Sequence, residues 1–258
     1  MLPNRNFFES LANAAAEQTL PRFRRNISIE NKLTSGFDPV TEADKSCERA
    51  IRAIIEAEFP EHGILGEEEE PTNLDSEYVW VIDPIDGTRA FITGLPVWGT
   101  LIGLYQNGRA VAGMMDQPFT GERYLADEGG AVLKMRDGVQ MDLKTSRNSD
   151  LGRANIFTTS PYLHEGVNEV RYDALENEVN LARYGCDCYA FAMVALGTAD
   201  IAIESDLKPY DIGGLISLVE QAGGVVSTWG GDRPEMGGDI IASANSELHA
   251  KALEILNR

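Results

Sequence analysis

The sequence has too few cysteines and histidines to build the sites that these residues usually form. Its 258 residues include 3 cysteines and 3 histidines. A small, odd number of cysteines offers no paired disulfide framework and is typical of a reducing compartment. Cys186 and Cys188 are close together, but every histidine lies far from them in sequence. We therefore interpret the thiols as small buried side chains rather than as zinc ligands.

Positive charge and long apolar runs are also scarce. Lys and Arg number 22 against 41 Asp and Glu, which gives a formal net charge of -19. This charge opposes binding to nucleic acid or to an anionic membrane, because phosphate groups would be repelled. No apolar run approaches the roughly 20 residues that cross a bilayer, and residues 1–5 do not begin a signal peptide pattern. A cytoplasmic protein without a membrane or nucleic-acid partner is expected.

The most informative stretch of the chain is residues 78–88. Tyr78 to Ile82 is short, β-branched and aromatic, which predicts a buried strand, and Pro84 is expected to end it. The adjoining turn carries four oxygen donors: the Asp83 and Asp86 carboxylates, the Ile85 carbonyl and the Thr88 hydroxyl. Hard divalent cations prefer such ligands, and phosphate suits outward N–H groups where a helix begins. An ordinary turn capped by Thr88 is the alternative.

Three other acidic positions each have a purely structural explanation. Asp44 follows Thr41 by three residues, which is the spacing of a helix capping box. Glu67 begins a run of four glutamates, and such runs are usually solvated loops. Asp211 opens a predicted helix, where an acidic residue complements the helix dipole. Taken singly, none of them identifies a site.

The apolar spacing predicts an α/β protein in two halves. Residues 1–145 are expected to form an α+β half and residues 146–258 an α/β half with helices on both faces of its sheet. The predicted N-terminal elements are a helix over 4–24, a strand over 26–33 with a turn at Ser35-Gly36, a helix after Thr41, and antiparallel strands from Gly99 with a turn at Asn107-Gly108.

Four motifs together resemble the signatures of the inositol monophosphatase superfamily. They occur in the family's order and span most of the chain: Asp38-Pro39-Val40-Thr41-Glu42-Ala43-Asp44, Gly66-Glu67-Glu68, Asp83-Pro84-Ile85-Asp86-Gly87-Thr88, and Pro209-Tyr210-Asp211 with a downstream Ala222-Gly223-Gly224. The resemblance implies a layered αβαβα sandwich and a Mg²⁺-dependent phosphomonoesterase. It also implies a small phosphorylated metabolite as the substrate and a homodimer as the assembly.

The resemblance implies a ligand set for two metal ions. One Mg²⁺ would be held by Glu67, Asp83 and the Ile85 carbonyl. A second would be held by Asp83, Asp86 and Asp211, with Asp83 shared between them. Two ions arranged in this way can stabilise both the attacking and the leaving oxygen of a displacement at phosphorus.

Other motif residues receive catalytic and phosphate-binding roles by the same resemblance. Glu67 and Thr88 would orient the attacking water, and the N–H groups of Gly87 and Thr88 would hold phosphate oxygens. A third, looser Mg²⁺ would lie near Asp44 and Glu67, which makes Asp44 a catalytic candidate. The family often places a lysine facing the phosphate near the position of Lys32. The resemblance leaves the roles of two residues open: Lys32 and Glu68.

One further motif bears on the substrate. Gly185-Cys186-Asp187-Cys188-Tyr189-Ala190, together with Glu204, is similar to the histidinol-phosphatase branch of the family. Asp187 and Glu204 would then flank the leaving group. A buried pair of carboxylates suits a cationic amine or imidazolium better than a neutral polyol. The alternatives are that Asp187 caps the next helix and that Glu204 is an exposed residue at a strand end.

The sequence therefore predicts a Mg²⁺-dependent phosphatase that hydrolyses L-histidinol phosphate. Inositol-1-phosphate or another small sugar or nucleotide monophosphate is the alternative substrate, with the same chemistry. A metal-binding regulatory module without turnover and a glycosidase with paired carboxylates are rivals from other classes. The glycosidase hypothesis leaves Gly87 and Thr88 unexplained.

Overall fold

The computed structural model describes residues 2–25, 28–31 and 39–258. Its helices are α1 (Arg5–Thr19), α2 (Glu42–Glu58), α3 (Thr88–Thr93), α4 (Val167–Glu176), α5 (Tyr189–Leu196), α6 (Pro209–Gln221) and α7 (Ser246–Leu256), with 3-10 turns at Leu151–Arg153 and Pro161–Leu163. Its strands are β1 (Ile29–Asn31), β2 (Pro39–Thr41), β3 (Gly63–Gly66), β4 (Tyr78–Asp86), β5 (Gly99–Gln106), β6 (Arg109–Gln117), β7 (Glu122–Asp127), β8 (Gly130–Lys134), β9 (Gln140–Asp142), β10 (Asn155–Phe157), β11 (Leu181–Arg183), β12 (Ile201–Leu207), β13 (Val225–Thr228) and β14 (Gly238–Ser243). None of the helices in these ranges combines the length and the apolar composition that crossing a bilayer requires.

The larger sheet has seven strands in the order β3 to β9. Only β3 and β4 pair in parallel; the later neighbours are antiparallel, as tight turns such as Asn107-Gly108 allow. Helices α1 and α2 cover one face, because apolar residues recur on one side of each helix. Phe8, Leu11, Ile51 and Ile55 pack there around Trp80 of β4.

The smaller sheet has five strands in the order β11-β10-β12-β14-β13. Strands β10, β11 and β12 are parallel to one another where they pair, whereas β14 is antiparallel to both β12 and β13. Helices α5 and α6 share a core with both sheets, and α4 and α7 pack on the outer face of the smaller one. The layers are therefore helix, sheet, helix, sheet, helix, which confirms the predicted αβαβα sandwich.

Helix α6 lies unusually close to the larger sheet. A Cβ added at Gly103 of β5 would collide with the carbonyl of Gly213, and one at Gly113 of β6 would collide with that of Gly214. Glycine on both surfaces lets the two backbones touch. This contact fixes the N-terminal turn of α6, and with it Asp211, near the end of β4.

The structure corrects several element boundaries. Pro84 does not end β4; it lies inside the strand, within a register shift between Asp83 and Asp86, which is a position that proline tolerates. Helix α1 begins after its predicted cap Asn4 but ends at Thr19, before Pro21. Strand β13 was not predicted. Of the strand predicted over 26–33, residues 29–31 are extended; the others, except residue 28, and the Ser35-Gly36 turn lie outside the described residues. The division into two halves at residue 145 remains a prediction.

Candidate active site

The end of β4 holds two of the candidate carboxylates in place. Where the strand shifts register, the Thr100 hydroxyl donates to the Pro84 carbonyl (2.8 Å) and the Ile85 N–H donates to Asp83 Oδ1 (3.0 Å). The Thr88 hydroxyl donates to the Ile85 carbonyl (3.0 Å). The distortion places Asp83 and Asp86 on the same cleft, which an uninterrupted strand would not do for residues three apart.

Asp211 joins this pair from a distant part of the chain. One carboxylate oxygen each from Asp83, Asp86 and Asp211 lies within 4.8 Å of the others. Asp211 also caps the start of α6, since its carboxylate accepts the Lys208 N–H at 2.6 Å. Asp86 accepts the Cys188 N–H at 2.7 Å. Backbone donors from β4 and from the caps of α5 and α6 thus orient the three carboxylates.

The electrostatics of the trio favour a bound cation. Burial, reinforced by Glu67 and by other carboxylates, raises the pKa of Asp83 well above its ordinary range. Burial, reinforced by Asp187 and Asp211, does the same for the pKa of Asp86. Converging oxygens that repel one another are the donor set of a hard divalent cation, which removes the repulsion. These residues therefore fit Mg²⁺.

Asp44 lies beside the trio at the start of α2. Its Oδ2 accepts from the Thr41 N–H (2.8 Å) and hydroxyl (2.6 Å), so the predicted capping box is present. Its Oδ1 is buried and accepts no hydrogen bond from the described residues. Burial raises the pKa of Asp44 to about 6, with a smaller contribution from the charge of Glu67. The structural role uses one oxygen and leaves the other available.

Glu67, Gly87 and Thr88 all line the cleft. The Glu67 N–H donates to the Ile82 carbonyl (3.2 Å), which extends the β3–β4 pairing up to the acidic residue. Gly87 has a φ of 80°, and a Cβ added there would lie 3.2 Å from both Cβ and Cγ of Asp187. Gly87 is therefore required by its conformation and by the close approach of Asp187.

The two predicted substrate residues face the same cleft, whose volume is about 360 Å³. Glu204 on β12 is buried and not exposed, and it accepts from the Thr159 N–H (2.6 Å) and the Thr158 hydroxyl (3.3 Å). Asp187 does not act as a side-chain cap, because Cys188 is the cap position of α5 and makes no such bond. Burial raises the pKa of Asp187 to about 6 and the pKa of Glu204 to about 8.

Several residues at the site were not predicted. Arg89 lines the cleft, and its charge lowers the pKa of Asp187 against the effect of burial. Thr158 and Thr159 hold Glu204. No sequence pattern points to these residues. Glu48 could have been found, because it falls on the apolar stripe of α2 between Cys47 and Ile51. Lys32 lies outside the described residues.

Comparison with known proteins places this geometry in a family. The sequence model of the inositol monophosphatase family matches residues 3–258. The chloroplastic bifunctional phosphatase IMPL2 of Arabidopsis thaliana is 38% identical, with 96% of this chain and 73% of that protein aligned. The histidinol-phosphatase of Chlorobaculum parvum is 33% identical, with 96% and 94% aligned. The structure of an inositol monophosphatase from Zymomonas mobilis matches with a TM-score of 0.86 at 36% identity, covering 98% of this chain and 97% of that one.

Proposed function

The chain belongs to the inositol monophosphatase family, and on this premise we propose that it hydrolyses L-histidinol phosphate with the help of Mg²⁺. Members of this family are phosphatases of small phosphorylated molecules, typically metal-dependent. One observation carries the choice of substrate: Asp187 and Glu204 line the same cleft as the acidic trio Asp83, Asp86 and Asp211. The histidinol-phosphatase relative supports the choice, whereas the Zymomonas mobilis structure keeps inositol phosphates as the alternative.

The charge of the cleft favours a cationic leaving group. The pKa values of Asp187 and Glu204 are raised chiefly by burial, and the charge of Asp187 raises that of Glu204 further. A neutral polyol would leave this repulsion in place, because hydroxyl groups carry no compensating charge. The primary ammonium group of L-histidinol would neutralise it and donate charged hydrogen bonds to the carboxylates. We therefore assign substrate binding to Asp187 and Glu204.

We propose the ligand set that the motifs predict. Glu67, Asp83 and the Ile85 carbonyl would hold one Mg²⁺, Asp83, Asp86 and Asp211 a second, and Asp44 with Glu67 a looser third. When bound, the ions lower the pKa of water and stabilise negative charge on the phosphate and the departing oxygen. The Oδ1 of Asp44, which has no hydrogen-bond donor within the described part of the chain, and the convergence of the trio support this assignment.

The chain's own residues would align the reaction. The Thr88 hydroxyl donates a hydrogen bond to the Ile85 carbonyl, so its lone pairs are directed to accept a hydrogen bond from the attacking water. The Glu67 carboxylate would take the other proton of this water as the water oxygen bonds to phosphorus. The N–H groups of Gly87 and Thr88 would hold phosphate oxygens. The bond from phosphorus to the leaving oxygen breaks in the same displacement; that oxygen takes a proton from solvent water to give the alcohol, and Glu67 returns its proton to solvent.

Phosphate release tests the proposal directly. The purified protein should release phosphate from L-histidinol phosphate faster than from inositol-1-phosphate in Mg²⁺, and from neither in EDTA. Faster release from inositol-1-phosphate would leave the metal chemistry intact and overturn the choice of substrate. If no small monoester were hydrolysed in Mg²⁺, a metal-binding module without turnover would be favoured. Cytoplasmic location and homodimer formation remain predictions.

The preference between the two esters should depend on pH. As pH rises from 6 towards 8, Asp187 and then Glu204 lose their protons, so the cleft gains negative charge and binds an ammonium group more tightly. The ratio of kcat/KM for L-histidinol phosphate to that for inositol-1-phosphate is therefore expected to increase. Changes at the metal ligands cancel in this ratio, because both esters meet them at the same pH.

A matched variant identifies the groups responsible for the pH effect. Glu204 faces Asp187 and Cys186, and through Thr158 it contacts His164. Glu204→Gln keeps an oxygen for the Thr159 N–H but cannot ionise. The increase in the kcat/KM ratio near pH 8 should then disappear, while the increase near pH 6 remains. An unchanged profile in this variant would assign the titration to another group.

A further inference from the structure

The segment that carries Glu67 is hydrogen-bonded to a buried carboxylate from helix α2. Glu48 is 0% exposed. Its Oε2 accepts the Glu68 N–H at 2.7 Å, and its Oε1 accepts the Glu69 N–H at 3.2 Å. The Arg52 guanidinium donates to Oε1 at 2.7 Å. One carboxylate therefore ties two successive backbone amides, just after Glu67, to the neighbouring helix.

The surroundings of Glu48 restrict the position of this carboxylate. A Cβ added at Gly66 would collide with the Glu48 carboxylate, so the end of β3 packs directly against it. Arg52 holds the segment a second time, because it also donates to the Glu69 carbonyl at 3.2 Å. Both side chains are buried, Arg52 with 7% exposure. Buried charged hydrogen bonds of this kind fix geometry even where their net stabilisation is small.

The same segment is anchored on its other side. The Glu67 N–H donates to the Ile82 carbonyl, one residue before Asp83. Ile64 and Thr72 exchange both backbone hydrogen bonds, at 2.8 and 2.9 Å, which closes the loop at its base. Glu67 thus lies between a hydrogen bond to β4 and the hydrogen bonds that Glu48 accepts from Glu68 and Glu69. The backbone at Glu67, from which its carboxylate extends, can shift appreciably only if one of these anchors is released.

Helix α2 carries both Glu48 and one of the metal-binding candidates, Asp44. Asp44 and Glu48 are one turn apart on its buried face, so the helix presents one carboxylate to the acidic cluster and the other to the Glu67 segment. We propose that Glu48, supported by Arg52, is a positioning residue that holds Glu67 in register with Asp83. This inference rests on the proposed function, since it assumes that Glu67 binds metal.

Glu48→Gln is the informative substitution. Glutamine fills the same volume but offers one acceptor oxygen, and its NH₂ group must face an N–H donor of Arg52, Glu68 or Glu69. The variant should therefore loosen the segment without opening a cavity. Because Arg52 would lose its charged partner, the double variant Glu48→Gln with Arg52→Gln provides the same test with no unpaired buried charge.

Two measurements that do not depend on turnover test the inference. Hydrogen exchange at the Glu68 and Glu69 amides should accelerate at least about 10-fold in both variants, since their acceptor is weakened. Mg²⁺ affinity measured by calorimetry should fall by about 10- to 100-fold, the usual effect of removing a residue that orients a metal ligand. Unchanged Mg²⁺ affinity with accelerated exchange would reduce Glu48 to a loop anchor and overturn the inference.

The matched control is Asp127→Asn. Asp127 also accepts from an arginine, Arg5 (2.8 and 2.9 Å), and from a backbone N–H, that of Gly129 (2.8 Å), but it ties α1 to the β7–β8 turn. This variant should leave Mg²⁺ affinity and exchange at residues 67–70 unchanged. The proposed function is tested independently of this inference, because it fails if the wild-type protein releases no phosphate in Mg²⁺. In that case the exchange measurement still decides whether Glu48 holds the segment.

Discussion

Asp83→Asn is expected to lower phosphate release by at least roughly 10³-fold, because a bound metal ion contributes several kcal/mol to the transition state and each 1.36 kcal/mol is a factor of ten. Asp83 is proposed to contact both principal ions, so its loss should affect both. Without metal, the variant should unfold at the same temperature as the wild type or higher. Asparagine retains an oxygen for the Ile85 N–H, which Asp83 Oδ1 accepts at 3.0 Å.

The stability effect follows from the raised pKa of Asp83. Its ordinary pKa is 3.8, and burial raises the folded-state pKa well above that value. Between the two values the folded chain holds a proton that the unfolded chain has lost, so stability falls as pH rises through this window. The asparagine side chain does not titrate and would remove this contribution. The difference in melting temperature between variant and wild type, measured in EDTA, should therefore widen in favour of the variant from about pH 4 upward.

Asp116→Asn is the matched control for this prediction. Asp116 is buried in the same sheet, with 3% exposure, but it pairs with Arg123 at 2.6 Å. Burial raises the pKa of Asp116 too, but the charge of Arg123 opposes this effect. Substitution leaves Arg123 without its charged partner, with the Asn13 oxygen at 3.1 Å still accepting from it, and should destabilise the fold by about 1–3 kcal/mol, while activity falls little. If Asp83→Asn were also destabilised in EDTA, the carboxylate cluster would not be a site of repulsion, and its assignment to metal would lose support.

The local part of this site could be predicted from the sequence because it depends on neighbouring residues. Asp83, Asp86 and Thr88 lie close together in sequence, at the end of β4 and the start of α3, and the capping box from Thr41 to Asp44 has its expected hydrogen bonds. The prediction that Pro84 ends β4 was wrong, also for a local reason. Proline is excluded from a regular ladder, but the register shift in β4 removes that restriction.

The remainder depends on contacts between distant segments, which no local pattern encodes. Asp211 reaches Asp83 because glycines on α6, β5 and β6 allow a close approach between helix and sheet. Strand β13 is short and follows a glycine pair, so the sequence does not distinguish its four residues from a loop. They form a strand because they pair with β14. The place of Glu48 on the apolar stripe of α2 marks it as buried, but its role depends on its backbone partners, Glu68 and Glu69, which lie in a separate segment.

The second large effect is expected from Asp187→Asn. This variant should reduce kcat/KM for L-histidinol phosphate by about 10- to 100-fold, since a hydrogen bond between charged groups contributes about 1.5–3 kcal/mol. Inositol-1-phosphate turnover should change little. Asparagine is chosen over alanine because Asp187 has a φ of 44°, a left-handed conformation that Asp and Asn tolerate better than other side chains. The comparison thus isolates the charge from the backbone.

Asp206→Asn is the control that the chain offers for this comparison. Asp206 lines the same cleft and has a φ of 57°, but its side chain is 88% exposed and pairs with Lys208. Water screens such a charge, so this variant should leave both substrates nearly unaffected. Asp187 also lies near Arg89, whose charge lowers its pKa. An equal loss for both esters in Asp187→Asn would mean that Asp187 acts on the shared phosphate end through Arg89, and the recognition of a cationic leaving group would have to be abandoned.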